Sequence, residues 1–117
     1  MGHVQCSGWW EQAGLGRQPM RDLVLSFAEG QIAGTGVDIV GEFELRGELH
    51  GDKMYLRKHY IGSHVIEYHG LSVGEGGYTG VWTSHGEAGG NWFIGIVASR
   101  GALSDAALED LKSDGAS

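Results

Sequence analysis

Lys58, Tyr60, His64 and Tyr68 are the residues whose types and spacing could do chemistry. They lie in Lys58-His59-Tyr60-Ile61-Gly62-Ser63-His64-Val65-Ile66-Glu67-Tyr68-His69-Gly70, which reads as two antiparallel strands about a short glycine-containing turn. If residues 61–63 form the loop, Tyr60 faces His64, Lys58 faces Ile66 and Leu56 faces Tyr68. The other face then pairs His59 with Val65, Arg57 with Glu67 and Tyr55 with His69. This register collects Met54, Leu56, Ile66 and Tyr68 on one apolar face, and a slip by one residue would scatter them. It also carries Lys58, Tyr60 and His64 onto that face.

An unpaired interior ammonium is costly, so Lys58 must reach water, find a carboxylate or shed its proton. Three fates are open to it. It can orient an anionic or carbonyl-bearing ligand in a polar pocket. It can snorkel to the barrel mouth, or pair with Glu11 or Asp38 inside the core. It can also act as a base or nucleophile once its pKa is lowered. Asp38 could accept hydrogen bonds from a ligand, but a turn at Glu29-Gly30 sets it opposite Arg21, and a cross-strand pair is the simpler account. The histidines at 59, 64 and 69 alternate faces in a strand and cannot converge on a metal. No phosphate loop, no Gly-x-Ser-x-Gly elbow and no activating partner for Cys6 is present in the sequence. No catalytic group, metal or cofactor is therefore assigned, and the chain is read as a non-catalytic protein.

The elements that must hold these residues are strands. The chain has 117 residues, 22 of them glycine and only 1 proline, against a usual glycine share of roughly 7%. The glycines fall at turns and inside strand-like runs, as short strands closing into a barrel require. Residues 4–12 form a first strand bearing Trp9 and Trp10, and residues 13–19 a loop. Residues 21–28 alternate with a period of two. The Glu29-Gly30 turn places Phe27 opposite Ile32, Leu25 opposite Gly34 and Leu23 opposite Gly36. After Gly41, Phe43, Leu45, Gly47 and Leu49 face one way and Glu42, Glu44, Arg46 and Glu48 the other. A Gly51-Asp52 turn pairs Leu49 with Met54, Gly47 with Leu56, Leu45 with Lys58 and Phe43 with Tyr60, so two separate turns agree on the inward face.

Residues 73–77 read as a loop, residues 78–83 as a strand bringing Trp82 opposite Tyr68, and residues 84–90 as another loop. Residues 91–97 form a last strand too continuously apolar for its inward face to be chosen. Residues 105–112 read as a short helix capped by Ser104 with Leu103 and Leu108 as a staple, and 114–117 as a frayed end. The fold class is thus all-β: one domain over 1–117, an antiparallel up-and-down barrel of about eight strands with a short C-terminal helix within 101–117. A two-sheet sandwich is the alternative, but it needs longer Greek-key connections.

Gly8-Trp9-Trp10-Glu11-Gln12, Ala33-Gly34-Thr35-Gly36, Leu45-Arg46-Gly47, Tyr60 with His64, and Gly80-Val81-Trp82 occur in an order that resembles avidin and streptavidin. The resemblance implies an eight-stranded meander barrel, a ligand site at its open end and frequent tetramers. It does not extend to biotin. Glu11 stands where the family has a ureido-binding asparagine, Gly36 replaces a pocket tyrosine and Leu56 a pocket tryptophan. Trp82 matches a pocket tryptophan position, and Trp92 falls near the tryptophan that a neighbouring subunit contributes. Ser99-Arg100 stands where the family has an aspartate after strand eight.

The net charge of −7 disfavours nucleic acid and anionic membrane as partners. No apolar stretch approaches the roughly 20 residues of a membrane span. One cysteine allows no internal disulfide, and no basic-then-apolar leader opens the chain, so a cytoplasmic protein is expected. The expected function is binding of a small molecule by Trp9, Glu11, Asp38, Lys58, Tyr60, His64, Tyr68 and Trp82. The rival expectation is a filled barrel acting as a structural or interaction module that forms homo-oligomers.

Overall fold

A computed structural model describes residues 3–97; the helix and frayed tail expected within 101–117 lie outside the described residues. Eight strands follow in order: β1 (His3–Gln12), β2 (Gly16–Ala28), β3 (Gln31–Val37), β4 (Glu42–His50), β5 (Lys53–Tyr60), β6 (Val65–Gly74), β7 (Gly77–Ser84) and β8 (Glu87–Ile96). Each pairs antiparallel with the next, and β8 returns to β1 from Cys6↔Ile96 to Trp10↔Trp92, closing the barrel. Closure leaves no unpaired sheet edge.

The hairpin around residues 61–63 has the expected partners, with Lys58↔Ile66, Leu56↔Tyr68 and His59↔Val65. The Tyr60 N–H donates to the His64 carbonyl at 3.0 Å. The Gly51-Asp52 register also holds, with Phe43↔Tyr60 and Leu45↔Lys58. The glycine-rich stretches 73–77 and 84–90 are not long loops. Their strands run on to two-residue turns at Glu75-Gly76 (φ 55° and 78°) and His85-Gly86 (φ 54° and 81°). Glu29-Gly30 has the same pair of positive φ values, 55° and 81°. Two left-handed residues in succession match the twist of the flanking strands, which is why such hairpins stay tight. The loop expected over 13–19 is likewise shorter. β2 starts at Gly16, and its Pro19 pairs with Trp9 on one side only, beyond the reach of β3, where a missing N–H costs no ladder bond.

β2 departs from a plain ladder. Asp22 has φ 52°, and the register shifts here against both neighbours, so Arg21 lies opposite Val37. The expected Arg21–Asp38 pair is therefore not formed. One extra residue reverses the in-and-out alternation below it. Met20 turns into the barrel, 4% exposed, and Arg21 turns out. The bulge thus puts a thioether where an unbroken strand would have put a guanidinium, close to the buried Lys58.

The interior is packed by Trp10, Leu23, Leu25, Phe43, Leu45, Leu56, Tyr68, Trp92 and Ile94 among others. Glycines on the inward face make room for its rings. A Cβ at Gly70 would lie 2.6 Å from the Trp92 ring, and one at Gly36 would lie 2.6 Å from that of Phe43. This decides β8: Trp92 and Ile94 face in, with Trp92 opposite Gly80, and Phe93 faces out.

The bulge is testable at Asp22, which is exposed and left-handed. Asp22→Gly removes a strained Cβ and should stabilise the protein by about 0.5–1 kcal/mol, whereas Asp22→Val should cost about 1–2 kcal/mol. Urea unfolding of both variants measures this; equal midpoints would mean that the bulge is not held by this residue.

Candidate functional site

The site begins where β3 ends. At Asp38 the chain leaves the sheet, and the Asp38 N–H donates to the Gly41 carbonyl at 3.1 Å. The side chain then folds back over its own loop. Oδ1 accepts the backbone N–H of Val40 at 2.9 Å and that of Gly41 at 3.4 Å. This self-bonding turn is a habit of short acidic side chains. It aims Oδ2 into the barrel, where three donors meet it: Trp10 Nε1 at 3.0 Å, Lys58 Nζ at 2.6 Å and the Tyr60 hydroxyl at 2.7 Å. Asp38 and Lys58 are both buried, at 3% and 1% exposure.

Lys58 Nζ also donates to the Tyr68 hydroxyl at 3.0 Å, and its remaining partner is Met20 Sδ at 3.7 Å. The Tyr68 hydroxyl donates to the same sulfur at 3.7 Å. Four aromatic faces surround the ammonium, from Phe43 at 4.3 Å to Trp10 at 5.4 Å from ring centroid to nitrogen. Such faces stabilise a desolvated cation.

Burial sets the proton affinities. It drives the Lys58 ammonium down from 10.5 to about 8, against the opposing hydrogen bond and charge of Asp38. Burial alone would raise the Asp38 carboxyl; the hydrogen bond and charge of Lys58, with the Tyr60 hydroxyl and the Val40 N–H, outweigh it and hold the group below its ordinary 3.8. Burial, reinforced by Asp38, pushes both the Tyr60 and Tyr68 phenols well up. At neutral pH the centre is a closed ion pair flanked by un-ionised phenols.

Above the pair lies a small cup of about 70 Å³. Lys58 and Tyr68 border it below, Trp10, Tyr60, Ile66 and Trp82 wall it, and Gln12, Val40 and His64 rim it. Trp10 meets Trp82 edge to face at 6.0 Å, and the Trp82 indole is anchored by donating to the Glu11 carbonyl at 2.9 Å. Liquid water occupies about 30 Å³ per molecule, so the cup has room for roughly two waters or a small head group.

Of the eight residues expected at a site, Asp38, Lys58, Tyr60 and Tyr68 are in direct contact, Trp82 forms a wall and His64 the rim. Trp9 and Glu11 are corrected. Both lie on the outer wall because Trp10 takes the inward position of β1 and its neighbours must face the other way. Trp9 stacks on Phe93 at 6.2 Å beneath the Arg17 guanidinium, and the Glu11 carboxylate accepts Arg17 Nη2 at 2.8 Å. Trp10, Met20 and Phe43 are members that the sequence reading missed. Two adjacent tryptophans gave it no parity signal, and nothing near Met20 announced the bulge. The expected register turns Phe43 inward, but pairing alone does not show that its face meets the ammonium. Among the described residues no cluster of three His, Cys, Asp or Glu side chains is arranged to hold a metal. Cys6 is buried, and burial pushes its thiol up to about 11.

The pair is testable by breaking it in two ways. Lys58→Met leaves a buried carboxylate without its counter-ion and should cost about 3 kcal/mol. Adding Asp38→Asn, which removes the charge but keeps an acceptor, should restore most of that loss in chemical unfolding. No recovery in the double variant would show that charge is not what the single variant lost.

Stability changes with pH through these same groups. Stability from Asp38 is complete above its ordinary 3.8 and is lost as pH falls through the lower folded value. Between about 8 and 10.5 the unfolded chain holds the Lys58 proton that the folded chain sheds, so stability rises with pH. Above about 9 the unfolded Cys6 thiol ionises while the folded one, pushed up to about 11, does not, which offsets the rise. Above 10 the unfolded phenols ionise while Tyr60 and Tyr68 stay protonated, and stability falls again. Melting temperatures across this range should show the alkaline rise in the native protein and not in Lys58→Met.

No protein-family model, curated protein or solved structure matches the chain.

Proposed function

We propose that the protein is a non-catalytic barrel that binds the head group of a small carbonyl-bearing or anionic molecule in the cup at its mouth. The observation that carries this reading is a pair of poorly matched donors. Lys58 and Tyr68 are both among the residues that line the cup, and Lys58 Nζ and the Tyr68 hydroxyl each direct a hydrogen at the Met20 sulfur at 3.7 Å. A thioether is a weak acceptor. An oxygen entering from the cup would offer both donors a stronger one. Asp38, by contrast, accepts five protein donors and has nothing left to give a ligand. The polar interaction on offer is therefore donation to an oxygen.

The size of the cup limits the partner. Sites for drug-sized ligands are roughly 300–1,000 Å³, and this one is about 70 Å³. Only a head group fits inside, and any apolar remainder would rest on the rim. The rim suits that. Leu15, Ile39, Val40 and Ile61 are exposed on three of the four connections at the mouth. The connections at the other end are Glu29-Gly30, Gly51-Asp52 and Glu75-Gly76, which carry no aliphatic side chain.

The same rim supports a second reading, in which the packed barrel is an interaction module and its aliphatic loop tips meet a second copy. The two readings part on size and on donors. Sedimentation of the native protein and of Ile39→Asp with Ile61→Asp tests the second; a native monomer ends it. For the first, acetate and acetamide should shift the indole N–H signals of Trp10 and Trp82 in NMR titrations, and Tyr68→Phe should weaken binding about tenfold, the value of one hydrogen bond. Unmoved indole signals at saturating fragment would end the binding reading.

A further inference from the structure

Lys58 is more than a donor in this geometry. Lys58 is one of the residues that line the cup, so a carbonyl seated there that accepts its hydrogen bond also presents its carbon to the amine. We propose that Lys58 condenses with a short-chain aldehyde seated in the cup to form a protonated imine held against Asp38. This rests on the reading of the cup as a binding site and adds the class of ligand it takes.

The step balances without an outside reagent. The ammonium gives up a proton, Nζ adds to the carbonyl carbon, and the carbonyl oxygen, twice protonated, leaves as water through the mouth. A carbon–oxygen double bond is exchanged for a carbon–nitrogen one. One positive charge stands on the nitrogen before and after. The counter-ion is thus already in place, with Asp38 Oδ2 at 2.6 Å from Nζ. The aromatic faces around the ammonium, Phe43 at 4.3 Å and Tyr60 at 4.9 Å, serve an iminium equally well. The Tyr68 hydroxyl, 3.0 Å from Nζ, lies where it can donate to the oxygen of the addition product. An amine desolvated by apolar walls holds more of its neutral, nucleophilic form at pH 7 than a surface lysine does, in keeping with the lowering of Lys58 to about 8. The cup of about 70 Å³ admits acetaldehyde or a relative of its size and excludes an aryl aldehyde.

The test is reductive trapping. The native protein is incubated with acetaldehyde and cyanoborohydride at pH 7, and the alkylated lysines are mapped by mass spectrometry. Lys53, exposed at the start of β5, is the internal reference. Lys58 should be modified faster than Lys53, on the order of tenfold, because its pKa is depressed. A naphthaldehyde should reverse the order, and Lys58→Arg should lose the fast adduct while keeping the slow one. Acetamide, which cannot condense, is titrated in parallel by NMR. Shifts at Trp10 and Trp82 with fast labelling of Lys58 support the imine. The same shifts with Lys58 labelled no faster than Lys53 overturn the imine and leave the binding site standing. Neither shifts nor fast labelling overturns both.

Discussion

A carboxylate and an ammonium 2.6 Å apart, buried inside a barrel, set the terms for the rest of this molecule. Either charge alone would be expelled or neutralised at a cost of several kcal/mol. Together they survive because the fold supplies the carboxylate with every remaining partner. The 38–41 turn gives backbone N–H groups to one carboxylate oxygen, and Trp10, Lys58 and Tyr60 give donors to the other. A buried pair so thoroughly served says little about stability, since a well-packed apolar replacement can match it. It does fix geometry. The pair joins β5 to the β3–β4 connection across the interior, and Trp10 joins β1 to the same oxygen.

The bulge in β2 belongs to this arrangement. Without Asp22 in the left-handed region, the next inward side chain on β2 would be Arg21, a second cation near Lys58. With it, the inward residue is Met20, a soft neighbour that tolerates two donors and satisfies neither well. What makes the centre tolerable for folding is also what leaves it short of a good acceptor.

Much of this was legible from residue order. The hairpins at Gly51-Asp52 and at residues 61–63 each predict the inward face of β5, and the observed ladders are those they imply. Lys58, Tyr60 and Tyr68 were placed together for that reason. Three things were not legible. Trp9 and Trp10 are alike, so alternation could not choose between them, and the wrong choice carried Glu11 inward as well. The 73–77 and 84–90 stretches contain too many glycines to alternate, so their two-residue turns were hidden inside apparent loops. The bulge depends on the backbone conformation of one aspartate; it takes Arg21 away from Asp38 and leaves the Lys58–Asp38 pair, the other arrangement open in the sequence. In each case the missing information was parity, which a glycine, a repeated residue type or an inserted residue erases.

Seven of the eight ladders join strands linked by a short turn, but the eighth, β1 with β8, joins Cys6 to Ile96 across nearly the whole described chain. Contacts between distant residues form late, because the entropy of closing a long loop must be met before they reward it. Two of the three tryptophans of that seam, Trp10 and Trp92, are interior, and Trp10 completes the coordination of Asp38. A half-folded sheet would therefore carry an unfinished polar centre with its aromatic wall missing. Chemistry at Lys58 would report on the zipping of a joint at the far end of the chain.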